Sequence, residues 1–312
     1  MDHCARLSRK VGEVRVPKIG WVRFRWSRDI PACVKSYRVT RDRAGRRHVA
    51  FAVVPPPVDG PGTGEIVGVD RGIVVSAALS TGELLSVPGL RDGEARRLLR
   101  LERRLARARR ESNRRRRLKV AVARLKARET DRRKDWVEKT STSLARRFDV
   151  IRVENLNVRG MARSARGTVE RPGQNVRAKS ALNRSIQSAG WGRLVTRLEH
   201  KAPGRVEKIN PAYTSQTCGA CGHRAAENRK SQAVFHCRAC GHRDHADVNA
   251  ARNIAVGRTV TARGGSPMGR PVNREPQFVS SSPKRRVEIS PTWGEDVKGS
   301  PALRYGGRRA GR

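Results

Sequence analysis

The sequence predicts a mixed α/β protein, a strand-built domain interrupted by a basic helical hairpin and a small metal-bound ribbon. Three observations carry that expectation. Two CxxC pairs, Cys218/Cys221 and Cys237/Cys240, are separated by fifteen residues. Two short apolar runs, at 66–70 and 150–154, each end in an acid. Between those runs, residues 91–147 repeat apolar positions at helical spacing beneath a surface that is nearly all Arg and Lys.

The charge balance narrows the function before any motif is considered. The 312 residues carry a formal net charge of +41 and a pI of about 11.7. Such a charge opposes any compact state by self-repulsion unless a polyanion neutralises it, so nucleic acid is the expected partner. No apolar run is long enough to span a bilayer, and the first residues, MDHCARLSRKVGEV, contain no apolar signal core. Six cysteines, four of them in a metal pattern, suit a reducing compartment, with Cys4 and Cys33 as ordinary thiols. A cytoplasmic, nucleoid-associated protein is expected. Aromatic residues make up 4% of the chain, so Arg–phosphate contacts rather than base stacking must carry most of the binding.

In chain order, residues 13–54 alternate apolar and basic positions in short runs and read as a small β region. Its basic face suits either a phosphate backbone or ordinary solvent exposure. PPPVDGPGTG (55–64) is a linker by composition. Three strands follow, at 66–70, 73–79 and 83–87, with turns at Gly72 and Thr81-Gly82. In 91–147, Leu98, Leu101 and Leu105 share one helical face, and Leu118, Val122 and Leu125 another. Glu111-Ser112-Asn113 breaks the pattern, so a helical hairpin is expected. Arg114, Arg115, Arg116 and Arg117 follow the break as candidate nucleic-acid contacts. A strand at 150–154 leads to the Arg- and Gly-rich segment 162–178, expected to be a loop that orders only on binding. Residues 180–200 read as two helices or one kinked at Gly190 and Gly192, and 206–209 as a strand. The stretch 258–312 has no periodicity and reads as a disordered basic tail.

Two sites emerge from residue type and spacing. Cys218, Cys221, Cys237 and Cys240 match a two-knuckle zinc site, in which four thiolates close a tetrahedron around one structural ion. Each knuckle has the form CxACGH, and the Gly after its second Cys allows the chain to turn back toward the metal. Asp70, Glu154 and Asp247 stand at element ends, the last opening a short helix whose inner face is Val248, Ala251 and Ile254. Two-metal phosphodiester hydrolysis needs such a set, with carboxylates holding Mg²⁺ ions roughly 3.5–4 Å apart. An apolar strand ending in an acid and followed by a meander is also how RNase H-like nucleases begin.

On these motifs, residues from about 13 to 256 resemble the TnpB family, the OrfB-type proteins of insertion sequences and relatives of type V CRISPR effectors. The resemblance rests on GVDRG, VENLNVRGM, LNRSIQSAGWGRL, the two knuckles and DVNAARNI. It implies an RNase H-like (RuvC) nuclease domain in three parts, 59–90, 148–212 and 244–257. The basic hairpin (91–147) and a zinc ribbon (213–243) would be inserted, after a partial wedge-like β-barrel region (1–58). It also implies an RNA-guided DNA endonuclease supporting transposition, with a guide RNA from the transposon end and target DNA as partners. Asp70, Glu154 and Asp247 fall on the family's catalytic, Mg²⁺-binding positions and the four cysteines on its zinc ligands. Asp244 is the rival third acid; Asp247 is preferred because it begins the DVNAARNI helix. Family members carry more chain ahead of PKIGWVRF, so duplex opening is expected to be weak and single strands the better substrate. The alternatives are a non-cleaving nucleic-acid-binding protein of the same lineage and a strand-transferring transposase. Isolated histidines disfavour the latter.

Overall fold

The computed structural model describes residues 4–31 and 33–257. The expected tail at 258–312 lies outside them. Within the described residues the chain is mixed α/β, and no helix is long and apolar enough to cross a membrane.

The N-terminal region forms two separate small sheets. β1 (Cys4–Arg6), β2 (Val11–Val16) and β3 (Gly20–Arg25) make an antiparallel meander; β4 (Ser36–Arg41) and β5 (Arg47–Ala52) make a hairpin. Phe24 lies between Trp26 and Phe51, with ring centroids 5.7 and 6.1 Å away, so aromatic packing joins the sheets where no ladder does.

The central sheet contains β6 (Ile66–Asp70), β7 (Ala77–Leu79), β8 (Leu84–Leu85), β9 (Val150–Glu154) and β10 (Val206–Ile209), in the order β10-β9-β6-β7-β8. β6, β9 and β10 run parallel, and β6-β7-β8 is an antiparallel meander. The strand expected over 73–79 is shorter than its apolar content suggests. Residues 73–76 are bends, because the turn that starts at Gly72 spends them before pairing resumes with Ala78 opposite Asp70.

Between β8 and β9 stand α1 (Asp92–Arg107) and α2 (Asn113–Arg147). Ser112 caps α2, its Oγ accepting the Arg115 N–H at 3.2 Å. α1 has no fully buried residue; its Leu98, Leu101 and Leu105 are half-buried, and ion pairs join it to α2, with Arg132 donating to both oxygens of Glu94 at 2.6 and 3.1 Å and Lys126 meeting Glu102 at 2.8 Å.

After β9 come α3 (Val158–Met161), α4 (Val176–Ala189) and α5 (Trp191–Lys201), the last two hinged at Gly190. Of the segment 162–178, residues 162–175 are largely irregular and the last three open α4. Thr168 N–H donates to the Arg171 carbonyl at 3.0 Å and Gly173 N–H to Arg166 at 2.8 Å, and Asn183 anchors the Ala162 carbonyl at 3.0 Å. A ribbon with β11 (Val234–His236) and β12 (Arg243–His245) leads into α6 (Ala246–Val256).

The core shows how the layers stack. Val67, Val69, Ile151 and Val153 pack with Leu144 and Ala145 of α2, Phe148 just after it, and Leu194 and Leu198 of α5. Because strand side chains alternate, Gly68, Asp70, Arg152 and Glu154 face the other way. α6 covers that second face, and Arg152 Nη1 donates to its Ala255 carbonyl at 2.6 Å.

Candidate active site and zinc ribbon

In the parallel pairing of β6 with β9, Ile66 stands opposite Val150 and Val69 opposite Val153. The next residues along are Asp70 and Glu154. Two acids therefore end neighbouring strands side by side, at a strand spacing of about 4.8 Å, on the face that α6 covers. α6 starts with His245 as N-cap, Nδ1 accepting the Asp247 N–H at 3.3 Å, so Asp247 lies in its first turn. There the helix dipole favours a carboxylate.

The electrostatics show that the three acids share one environment. Burial pushes Asp70 well above the ordinary carboxylate range, and the charges of Glu154 and Asp247 push it further. Burial also raises Glu154, against the hydrogen bond from Thr214 and the nearby Arg71 and Arg229 guanidinium groups. Arg229, carried by the ribbon, donates to Asp247 Oδ1 at 2.8 Å. Asp244 has other partners: Arg252 at 2.5 Å and His242 at 3.8 Å.

Four residues around the acids were not singled out from sequence. Arg71 is buried and donates to the Glu154 carbonyl. Its place directly after an apolar strand was the available signal. Thr214 Oγ1 donates to Glu154 Oε1 at 3.0 Å. Trp191 Nε1 donates to the Gly72 carbonyl at 3.0 Å, pinning the turn after Asp70. Arg229, like Thr214 and Trp191, is far from the acids in sequence, and only folding brings it there.

The cysteines meet as their spacing suggests. All four sulfurs lie within 4.8 Å of one another, with Cys218 Sγ 3.8 Å from Cys240 Sγ and Cys221 Sγ 3.6 Å from Cys237 Sγ. A tetrahedron of sulfurs about 2.3 Å from zinc has edges of about 3.8 Å, so the four fit that ion. The knuckles are built alike: Cys218 N–H donates to the His223 carbonyl and Cys237 N–H to that of His242, both at 2.9 Å. Gly222 and Gly241 have φ of +76° and +71°, which a side chain would oppose. The Cys240 backbone N–H, followed by burial acting against it and the Ala239 N–H acting with it, holds the Cys237 thiol down at about 6, whereas burial pushes Cys218 up.

Among the described residues, these cysteines are the one group whose ligand atoms converge so closely.

Of the four consecutive arginines, Arg114, Arg116 and Arg117 are exposed in the first turn of α2. Arg115 turns inward and caps the end of α1, with Nη1 donating to Leu105 O at 2.7 Å and Ala108 O at 3.1 Å.

Two family models match the chain: "Probable transposase" over residues 48–165 and "Cas12f1-like, TNB domain" over residues 191–254. "Putative RNA-guided DNA endonuclease InsQ" of Escherichia coli (strain K12) is 38% identical over 279 residues, covering 87% of this chain and 69% of the relative. A "Putative RNA-guided DNA endonuclease" of Streptomyces pristinaespiralis is 34% identical over 248 residues, covering 77% of this chain and 58% of the relative. A TnpB-like protein of Methanocaldococcus jannaschii is 34% identical over 116 residues, covering 36% of this chain and 24% of that one.

Proposed function

The chain belongs to the TnpB family of transposon-associated RNA-guided DNA endonucleases, and from that premise we propose that it cuts DNA at an RNase H-like (RuvC) centre formed by Asp70, Glu154 and Asp247. The observation that carries this reading is the strand register that sets Asp70 beside Glu154 on the face covered by α6, whose first turn holds Asp247. Two Mg²⁺ ions held by these carboxylates would supply Lewis acidity at the scissile phosphate and an activated water. Glu154 and Asp70 are fixed by strand ends, and Asp247 is fixed by a capped helix. Arg71 clamps the backbone at the end of β9. Arg229 donates to Asp247 Oδ1 and offsets part of the negative charge of the cluster.

The remaining parts take supporting roles in this reading. Residues 59–90, 148–212 and 244–257 form the nuclease domain. The hairpin at 91–147 holds a guide RNA drawn from the transposon end, with Arg114, Arg116 and Arg117 on phosphates. Residues 1–58 form a wedge-like unit, and the 213–243 ribbon holds one structural zinc ion. Asp70→Ala, Glu154→Ala and Asp247→Ala should each abolish Mg²⁺-dependent cleavage of guide-matched DNA, while RNA binding, measured by filter retention, stays at the wild-type level. Cleavage persisting in any of the three would remove that residue from the centre.

A further inference from the structure

Glu154 is the most enclosed of the three acids that has a side-chain donor of its own. Thr214 Oγ1 lies 3.0 Å from Glu154 Oε1, and the two side chains are buried, with 4% and 8% of their residue surfaces exposed. The hydroxyl also lies 3.2 Å from the Pro211 carbonyl. It has one proton to give, and the charged acceptor makes the stronger hydrogen bond. Donation to Oε1 restrains the rotation of the carboxylate and leaves its other oxygen free of that bond.

Thr214 is itself tied to the first zinc knuckle. Asn253 of α6, 2% exposed, donates from Nδ2 to the Thr214 carbonyl at 2.9 Å and to the Thr217 carbonyl at 2.7 Å. Asn249, one helical turn earlier, donates to the same Thr217 carbonyl at 2.8 Å and accepts the Gly219 N–H at 2.8 Å. Thr217 and Gly219 flank the ligand Cys218. A largely buried path of hydrogen bonds, joined through Thr214 itself, therefore runs from the knuckle, through two asparagines on the helix that carries Asp247, to the carboxylate of Glu154.

We propose that Thr214 is a positioning residue that orients Glu154 for metal binding, and that Asn253 couples its placement to the first zinc knuckle. The inference rests on the reading of the three acids as a metal centre. Groups that orient a ligand by hydrogen bonding typically change metal affinity or activity by roughly 10–100-fold when removed.

The test is Mn²⁺ titration of the full-length, zinc-loaded chain by calorimetry, followed by Mn²⁺-dependent cleavage of labelled single-stranded DNA. Thr214→Val, which keeps the shape and removes the donor, should weaken Mn²⁺ binding and slow cleavage by roughly 10–100-fold. RNA affinity and zinc content should not change. Thr214→Ser, which restores the hydroxyl, should bind and cut like wild type. Wild-type behaviour in Thr214→Val would overturn the inference, as would equal damage in both variants. Loss of zinc or of a cooperative melt in Thr214→Val would also overturn it, since the residue would then serve the fold alone. Glu154→Gln separates the two levels. If wild type binds Mn²⁺ no better than Glu154→Gln, the metal reading fails and the inference goes with it. If wild type binds far better and Thr214→Val matches wild type, only the inference fails.

Discussion

A methyl group at Gly68 would meet the Ala251 carbonyl oxygen at 1.9 Å and the Ala255 nitrogen at 2.5 Å. Both atoms are backbone of α6, so neither can swing aside. Gly68→Ala should push α6 off the sheet and cost about 1–3 kcal/mol or more by chemical denaturation. Cleavage should fall further than stability, because Asp247 moves with the helix. The two neighbouring aspartates should separate just as clearly. Asp244→Asn breaks a partly exposed ion pair with Arg252, worth about 0–1 kcal/mol, and should leave cleavage standing. Asp247→Asn should abolish it. The reverse result in a cleavage assay would make Asp244 the third acid.

Helix α1 exposes the chemistry of the hairpin most directly. Beside its half-buried leucines it is tied to α2 by Glu94, whose carboxyl is held down at about 2 first by the Arg132 hydrogen bond and then by the Arg91 backbone N–H. A depressed carboxylate contributes stability above its unfolded value, about 4.5 here, and loses it as pH falls toward 2. Hydrogen exchange over 92–107 should therefore quicken between neutral pH and pH 3, after correction for intrinsic rates. In Glu94→Gln it should be fast at both. The N-terminus of α2 makes a second prediction. Alanine at Arg114, Arg116 and Arg117 together should flatten the salt dependence of RNA binding by about 2 in log–log slope, at roughly 0.7 per phosphate contact. Arg115→Ala should instead free the end of α1 and leave that slope nearly unchanged.

At the scale of the whole molecule, the ribbon and the acid centre behave as one unit. The ribbon supplies Arg229 to Asp247, and Asn249 and Asn253 bind α6 to the first knuckle. The purified chain should hold about one zinc ion. Its removal by a chelator should unfold residues 217–245 and end cleavage, because metal binding supplies folding free energy to the ribbon. RNA binding by the hairpin should persist, since α1 and α2 pack elsewhere. Elemental analysis with limited proteolysis would check both halves.

The strands at 66–70 and 150–154, the hairpin break at Ser112 and the four thiols were legible because each is a local pattern. A buried strand reads as an apolar run, a capped break as a lost period, and a metal knuckle as a fixed spacing. The short β1 was not legible, because three residues of mixed polarity become a strand only when β2 offers a ladder. Residues 73–76 misled for the opposite reason. Their apolar content suits a strand, but Trp191 pins the turn at Gly72 from 119 positions away. The candidate acids could be named from their places at element ends. Sequence alone could not show that Asp70 and Glu154 share a register, that Arg229 reaches Asp247, or that Arg115 faces inward. Those facts are contacts between residues far apart in the chain. They are decided by the packing of the sheet, α6 and the ribbon, where burial and excluded volume leave each side chain few places to go.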